Sequence, residues 1–342
     1  MAHATEDITD FIFAGKWRSK IICASAELGV FDHLDRVQPR AAGEVAAHLH
    51  VDPDLLYRLL RALASLGFLD ETENHQFSLT EHGYWLRTDT PGSLRYMALL
   101  EGGVEHTAIW NHVPAMLRDG RQNAFVRAFG HNAFDHARAN PDGYGMIFDR
   151  AMSGFSIVQS GLVIEALKDY DLRPVKTLCD VAGGHGHLMC SFLRAWPHLS
   201  GTVFDLPEVV AEKNALWAPK LALDDRCRYQ GGDMFEDVPA ADAYSLKMIL
   251  HDWNDSECAQ ILSNLRRRAG KDGRVFIVEH IVPGPAESHF AKLFDIHMMC
   301  WGSGRERTEA EFGSLLEAAG WNMAGTHYPA NRLMGVIEGR VA

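Results

Sequence analysis

Three stretches of the sequence combine residue types and spacings that can do chemistry. In the first, Leu178-Cys179-Asp180-Val181-Ala182-Gly183-Gly184-His185-Gly186-His187-Leu188, an apolar run ends in glycines and passes into a helical pattern. Glycines let a ligand approach the backbone, and a helix start leaves N–H groups free. Such a turn can hold NAD, FAD or S-adenosylmethionine, or merely reverse the chain. A dinucleotide fingerprint counted from Gly184-x-Gly186 wants a small third residue, and Met189 stands there. In the second stretch, two acidic residues close the next two apolar runs. Asp205, in Phe204-Asp205-Leu206-Pro207, can accept both hydroxyls of a ribose, which alone fits NAD as well. Asp233, in Gly232-Asp233-Met234-Phe235, can reach an adenine amino group, with apolar neighbours against the ring. Two spaced acidic strand ends suit a nucleoside without phosphates better than a pyrophosphate. Either aspartate could also be a plain turn former.

The third stretch is Lys247-Met248-Ile249-Leu250-His251-Asp252-Trp253-Asn254-Asp255. His251 lies just past an apolar run, on the side where open α/β sheets bind ligands. Histidine suits taking a proton near neutral pH. One histidine among eighteen can also be a packed loop residue. Glu279 closes the following run, and Glu306 lies in Gly302-Ser303-Gly304-Arg305-Glu306-Arg307-Thr308. Both can converge on the rim that carries His251, where a carboxylate would orient the imidazole and favour its protonated form. Both could instead be solvated charges, with Glu306 in a surface ion pair with its arginines. His185-x-His187 with Cys190 is a competing metal cluster. No carboxylate stands beside it at ligand spacing, and zinc needs three or four converging ligands, so no metal is expected.

These residues need elements to place them. Short apolar runs alternate with helical stretches: Thr177–Val181, Gly201–Phe204, Arg226–Gln230, Ala243–Met248, Arg274–Glu279, Thr326–Tyr328 and Leu333–Ile337. Strand then helix, repeated, predicts a doubly wound α/β sheet. The last two runs are too close to enclose a helix, so the sheet should end in an antiparallel hairpin. Before it, a long helix is expected over Met146–Asp169, ahead of the break at Pro174. Residues 1–100 read mainly as helices. Leu55, Leu56, Leu59, Leu60, Leu63 and Leu66 form a stripe of helical period that stops at Gly67. Ile8, Ile12, Ala14, Ile21 and Ile22 fall at near-helical spacing. Ala41–Leu49, Val51-Asp52-Pro53 and Asp54–Leu66 resemble a helix-turn-helix, with a small wing at Phe68-Leu69 and Phe77-Ser78-Leu79.

That pattern raises a DNA-binding regulator as a rival. The second helix offers only Arg58 and Arg61 among Asp52, Asp54, Asp70, Glu71 and Glu73, so it is not drawn to phosphate. A scaffold for packing or dimerisation explains it better. The whole chain of 342 residues has a net charge of −12, which also argues against nucleic acid or an anionic membrane surface. The length suggests two domains at about 150 residues each. Six scattered cysteines with no C-x-x-C pair suit a reducing, cytoplasmic setting. The acidic start MAHATEDITD does not read as a signal peptide, and no run of about 18 apolar residues spans a membrane.

Taken in order, five motifs resemble the small-molecule O-methyltransferases of plants, animals and bacteria, a class that includes caffeic acid, acetylserotonin and antibiotic-tailoring enzymes. They are Asp180-Val181-Ala182-Gly183-Gly184-His185-Gly186, Phe204-Asp205-Leu206-Pro207, Gly231-Gly232-Asp233-Met234-Phe235, Leu250-His251-Asp252-Trp253 and Arg305-Glu306-Arg307-Thr308. The resemblance covers nearly the whole chain and is most specific over residues 128–318. It implies an all-helical dimerisation domain of winged-helix type (1–100), a helical linker lining the acceptor pocket (101–170) and a Rossmann-like catalytic domain (171–342) of seven strands, the last antiparallel. The implied partner is a second copy, joined through the N-terminal helices. The implied cofactor is S-adenosylmethionine, with no metal. His251 takes the position of the general base, flanked by Glu279 and Glu306. Gly183, Gly184, Asp205, Leu206, Asp233, Met234, Phe235, Lys247 and Ser156 take cofactor positions. Phe148, Met152, Asp252, Met298 and Trp301 take acceptor positions. Ala182 departs from a frequent third glycine, and Trp301 from a smaller polar residue. The implied reaction is in-line transfer of a methyl group to a hydroxyl of an aromatic or polyketide-like molecule. N-methylation, a non-methylating member of the same fold and a nicotinamide oxidoreductase are the alternatives.

Overall fold

The computed structural model describes Ala2–Ala342, with side chains from residue 8 onward, and divides into two compact units. The first takes the chain up to Asn111 together with Phe134–Phe155; the second takes His112–Ala133 and Ser156–Ala342.

In the first unit the leucine stripe does what its period requires. Asp52 caps the helix Pro53–Ser65 through Leu55 N at 2.8 Å, and Gly67, at φ +79°, follows its end. Leu56, Leu60 and Leu63 bury one face against Val30, Phe31, Val45 and Phe77. The unit is not all-helical. β1 (Arg40–Ala41), β2 (Leu69–Glu71) and β3 (Gln76–Leu79) form an antiparallel sheet in the order β1-β3-β2. Its Leu69, Phe77 and Leu79 join the same core, so the wing closes a side that the helices leave open. The isoleucine pattern near the start has the opposite fate. Ile8 and Ile12 sit on the helix Ala2–Leu28 but are 56% and 68% exposed.

The second unit is built on seven strands: β4 (Thr177–Val181), β5 (Ser200–Asp205), β6 (Cys227–Gly231), β7 (Ala243–Lys247), β8 (Arg274–Glu279), β9 (Trp321–His327) and β10 (Gly335–Val341). Their order is β6-β5-β4-β7-β8-β10-β9, and β10 runs antiparallel to both neighbours. Separate apolar clusters cover the two faces, as buried parallel strands require. Met189 packs on β5 because Gly201 has no side chain there; a Cβ would lie 2.1 Å from its sulfur. The expected hairpin is right in kind, but its strands are longer than the apolar runs. Thr326 and His327 are only the end of β9. The strand starts at Trp321, whose buried indole donates to Leu262 O at 3.0 Å. β10 runs on through Glu338, which a purely apolar pattern excludes; burial is possible because Arg340 and Tyr170 bond its carboxylate.

The order reverses beside β4: the chain leaves to β5 and β6 on one side and returns to β7 and β8 on the other. At such a switch point the strand ends splay and leave a crevice. The strand ends at Val181, Asp205, Lys247 and Glu279 lie on that rim. Among the described residues no helix is long and apolar enough to cross a membrane. Leu63→Ala should cost about 2–5 kcal/mol of folding stability, since it empties the meeting point of helices and wing; urea denaturation of the variant measures the loss.

Candidate active site

The glycine loop after β4 is shaped by three left-handed residues: Ala182 (φ +52°), Gly184 (φ +56°) and Gly186 (φ +88°). Alanine in that region carries a strain of about 1–2 kcal/mol. Gly186 is needed for space too, since a Cβ there would sit 2.8 Å from the Tyr229 hydroxyl. Above Gly184 nothing lies within 4 Å of such a carbon, so the loop faces open space. Asp205, at the end of β5, fixes the loop. Its Oδ2 accepts from Gly184 N and its Oδ1 from Leu206 N, both at 2.7 Å. A carboxylate has about four acceptor positions, so two remain. Burial raises the Asp205 pKa, against those two backbone bonds.

Beneath the loop lies a cluster that spacing alone did not reveal. Asp180 is 1% exposed; its Oδ1 accepts from Ser245 Oγ at 2.6 Å, while its Oδ2 has no partner. Burial pushes its pKa up to about 6. Lys247 donates to Gln159 Oε1 at 2.9 Å, and the buried Gln159 Nε2 has no partner either. Burial lowers the Lys247 pKa, opposed by Asp180 and Glu279. These residues offer a cation, an amide and a carboxylate with unspent hydrogen-bonding capacity.

The second centre gathers round His251, on the single turn Leu250–Asp252 after β7. Met248, just before it, is left-handed (φ +56°), which aims the turn back over the strand ends. His251 is 5% exposed, and its Nδ1 lies 2.8 Å from Glu306 Oε1. An ionised carboxylate only accepts, so Nδ1 carries a proton, and it is Nε2 that gives up its proton when the ring becomes neutral. Glu279 Oε2 lies 3.7 Å from the same Nδ1, and Asp252 Oδ1 3.7 Å from Nε2. Burial presses the imidazole pKa down, but Glu279, Asp252 and Glu306 outweigh it and lift it to about 10. Burial likewise raises Asp252, to about 6, and raises Glu279, both against the pull of His251.

Glu279 also organises backbone. Its Oε1 accepts from Ile249 N, Leu250 N and His251 N at 3.1, 2.9 and 3.4 Å. Glu306 is no surface ion pair: it is 4% exposed and meets the imidazole, whereas Arg305 turns to Asp255 and Glu311. On the helix Phe290–Trp301 the rings of Phe294, His297 and Trp301 form a stacked row. Phe294 lies 5.9 Å from the His251 ring. Its position three residues before His297 is a readable signal, but in the sequence the two phenylalanines of that helix look like ordinary core.

The remaining expected residues are placed as follows. Gly183, Leu206, Met234 and Phe235 lie on the strand-end loops with Asp205, and Phe235 packs edge-on against Trp253. Asp233 accepts from Phe235 N at 2.8 Å, a turn-forming bond that leaves its other oxygen open. Ser156 belongs to the second unit, where its carbonyl accepts from Ser160. Met298 and Trp301 are buried, the latter edge-on to Phe125. Phe148 and Met152 fall in the first unit, with Phe148 against Phe134 and Tyr144. The alternative metal trio separates: His185 pairs with Glu212 and His187 with Ser160. The three ligand-type side chains His251, Glu279 and Glu306 do converge, within 4.8 Å, but on one another's charges.

Comparison with known proteins agrees with this geometry. A model of the O-methyltransferase domain matches residues 110–322, and one of the O-methyltransferase dimerisation domain matches residues 12–89. The chain is 33% identical over 330 residues to a phenazine O-methyltransferase of Lysobacter antibioticus, covering 96% of this chain and 94% of that protein. It is similar to the crystal structure of LaPhzM, with a TM-score of 0.88 and 32% identity over 99% of both chains. Human N-acetylserotonin methyltransferase, solved with S-adenosylmethionine, gives a TM-score of 0.86 at 27% identity, covering 99% of this chain and 98% of that one.

Proposed function

The chain belongs to the family of S-adenosylmethionine-dependent O-methyltransferases, and we propose that within it His251 is the base that deprotonates a hydroxyl of a small aromatic or polyketide-like acceptor. One observation carries this reading: a buried imidazole whose Nδ1 is tied to Glu306 and whose Nε2 makes no hydrogen bond at the rim of the switch point.

The residues present fit the cofactor. Gly184 opens onto empty space, Asp205 has acceptor positions left for two ribose hydroxyls, and the unpaired Asp180 Oδ2 and Gln159 Nε2, with the spare donors of Lys247, suit an ammonium and a carboxylate. Gly183, Leu206, Met234 and Phe235 would line the nucleoside, with Asp233 at the base edge and Ser156 near the amino-acid end. When bound, the cofactor supplies an electrophilic methyl on a sulfonium. The chain's work is then alignment and proton removal. Glu279 and Glu306 hold the imidazole in place and stabilise the positive charge it acquires. Asp252 stands where the acceptor's polar edge would meet Nε2. The Phe294–His297–Trp301 row, backed by Met298, supports a flat acceptor. Alignment of this kind can remove roughly 7–11 kcal/mol of barrier.

The two halves of the site should separate by mutation. His251→Ala should lose about 10²–10⁴-fold in turnover yet bind S-adenosylmethionine normally by calorimetry. Asp205→Ala should weaken that binding by at least about 10-fold, because charged hydrogen bonds are lost. The assay is labelled methyl transfer to a panel of phenols, catechols and hydroxyquinones. Wild-type turnover in His251→Ala refutes the base.

The pH profile follows from the charges. The active form needs Nε2 unprotonated, and the three carboxylates raise the imidazole pKa. Activity should therefore still climb with pH above neutrality, toward a limb near 10 for the free enzyme. Glu306→Gln removes one of those charges, so the limb in kcat/KM should move to lower pH, by about 1–3 pH units. A limb that stays put or moves upward contradicts the arrangement.

We further propose a homodimer through the first helix. Ile8, Phe11, Ile12, Phe13 and Trp17 are all at least half exposed there, more apolar surface than a lone helix leaves in water, and the dimerisation-domain match begins at residue 12. Phe11→Glu with Trp17→Glu should convert a dimer to a monomer in light scattering; a wild type that is already monomeric removes the proposal. The six unpaired, buried cysteines support a cytoplasmic location.

A further inference from the structure

Arg307 is buried to 0% exposure. A guanidinium out of water is costly unless its donors are met. Here Nε and one terminal nitrogen reach Asp255 Oδ1 at 3.0 and 2.8 Å. The remaining bonds go to backbone: Leu250 O at 2.8 Å, Trp253 O at 2.8 Å and Arg305 O at 3.3 Å. Leu250 and Trp253 bracket the turn that carries His251. Glu279 grips that turn by its N–H groups; Arg307 grips it by its carbonyls.

The backbone of Arg307 is fixed as well. It bridges Ile281, two residues beyond Glu279, and accepts from Val282 N at 2.9 Å. Neighbours on an extended segment point to opposite sides. Glu306 therefore reaches one way, to the imidazole of His251, and Arg307 the other, to the peptide groups beneath that imidazole. Gly304 brings the segment close enough: a Cβ there would fall 1.9 Å from His251 O.

We infer that Arg307 is a positioning residue for methyl transfer, setting the angle at which the imidazole held by Glu306 meets the acceptor hydroxyl. The inference rests on His251 as the base. It goes beyond that reading because Arg307 touches neither acceptor nor cofactor; it acts through the turn. Misplacement of a reacting group by about 1 Å can cost some 10²-fold in rate.

The test uses full-length Arg307→Lys, Asp255→Asn and His251→Ala, assayed on whichever phenol, catechol or hydroxyquinone the wild type methylates fastest. Lysine keeps the charge but cannot bridge the two carbonyls and Asp255 at once. Arg307→Lys should lower kcat by about 10- to 100-fold, leave the acceptor KM and the S-adenosylmethionine Kd near wild type, and move the pH limb downward as the Glu306 contact loosens. Asp255→Asn, at a half-exposed position, should shift kcat and limb in the same direction by less. Wild-type kcat and limb in Arg307→Lys overturn the proposal, as does a loss shared equally by kcat and cofactor affinity with no limb shift. If Arg307→Lys fails to fold, as judged by circular dichroism, an unchanged kcat and limb in Asp255→Asn overturn it. His251→Ala separates the premises: wild-type turnover there removes the base itself, whereas an inactive His251→Ala beside an unaffected Arg307→Lys removes only the positioning role.

Discussion

One imidazole surrounded by carboxylates is the constraint on which the second unit turns. Burying a charge is tolerable only when opposite charge and hydrogen bonds compensate it. His251 is buried with Glu279, Glu306 and Asp252 around it. Three negative charges in a small volume repel one another, and a shared proton relieves part of that repulsion. In the neutral ring the proton's home is thus Nδ1, and under the proposed function Nε2 is the nitrogen that meets the acceptor. A hydrogen bond from neutral partners would orient the ring equally well but would not raise its proton affinity.

That centre can exist only because the sheet supplies rigid strand ends at the right spacing. β7 delivers the turn and β8 delivers Glu279 one strand away, in register from Ala243↔Arg274 to Lys247↔Val278. Beside them, β4 and β5 deliver the glycine loop and Asp205. Both pairs meet at the switch point, and each is entered through a non-glycine residue in the left-handed region, Ala182 and Met248. Strain at these two places is held by the surrounding sheet, where local backbone preference would otherwise straighten the turn.

Much of this was legible in the sequence, because the strands that bound the site are short, largely apolar runs, and Asp205, Lys247 and Glu279 stand at the ends of theirs. β4 and β8 were readable to the residue. β9 was not: Asn322 and Gly325 interrupt it, and Trp321 is its one buried residue. The wing was glimpsed as Phe77-Ser78-Leu79, but its part in closing the core was not, since that needs the helices in place. In the site, Glu279 was found by its position at a strand end and Glu306 by the segment 302–308 that carries it, and both lie beside His251. The roles of Asp180 and Gln159 were hidden, because unspent hydrogen-bonding capacity is a property of three-dimensional neighbours. Arg307 misled for a related reason: beside a glutamate in sequence it suggests a pair, but alternation along the extended chain sends the two side chains apart.

The depth at which His251 lies has a kinetic consequence. On the proposed role of His251 as the base, each methylation leaves the acceptor's hydrogen ion on Nε2 of a ring only 5% open to solvent. Glu279 has Oε1 committed to three peptide groups, and its Oε2 lies 3.7 Å from Nδ1, on the other nitrogen's side of the ring, so it offers no exit. Asp252, 3.7 Å from Nε2 and somewhat open to solvent, is the neighbour on the outward path. Resetting the enzyme between turnovers is then a matter of draining that ion outward, and an aspartate whose own affinity for it is lifted toward neutrality by burial makes a serviceable stepping stone.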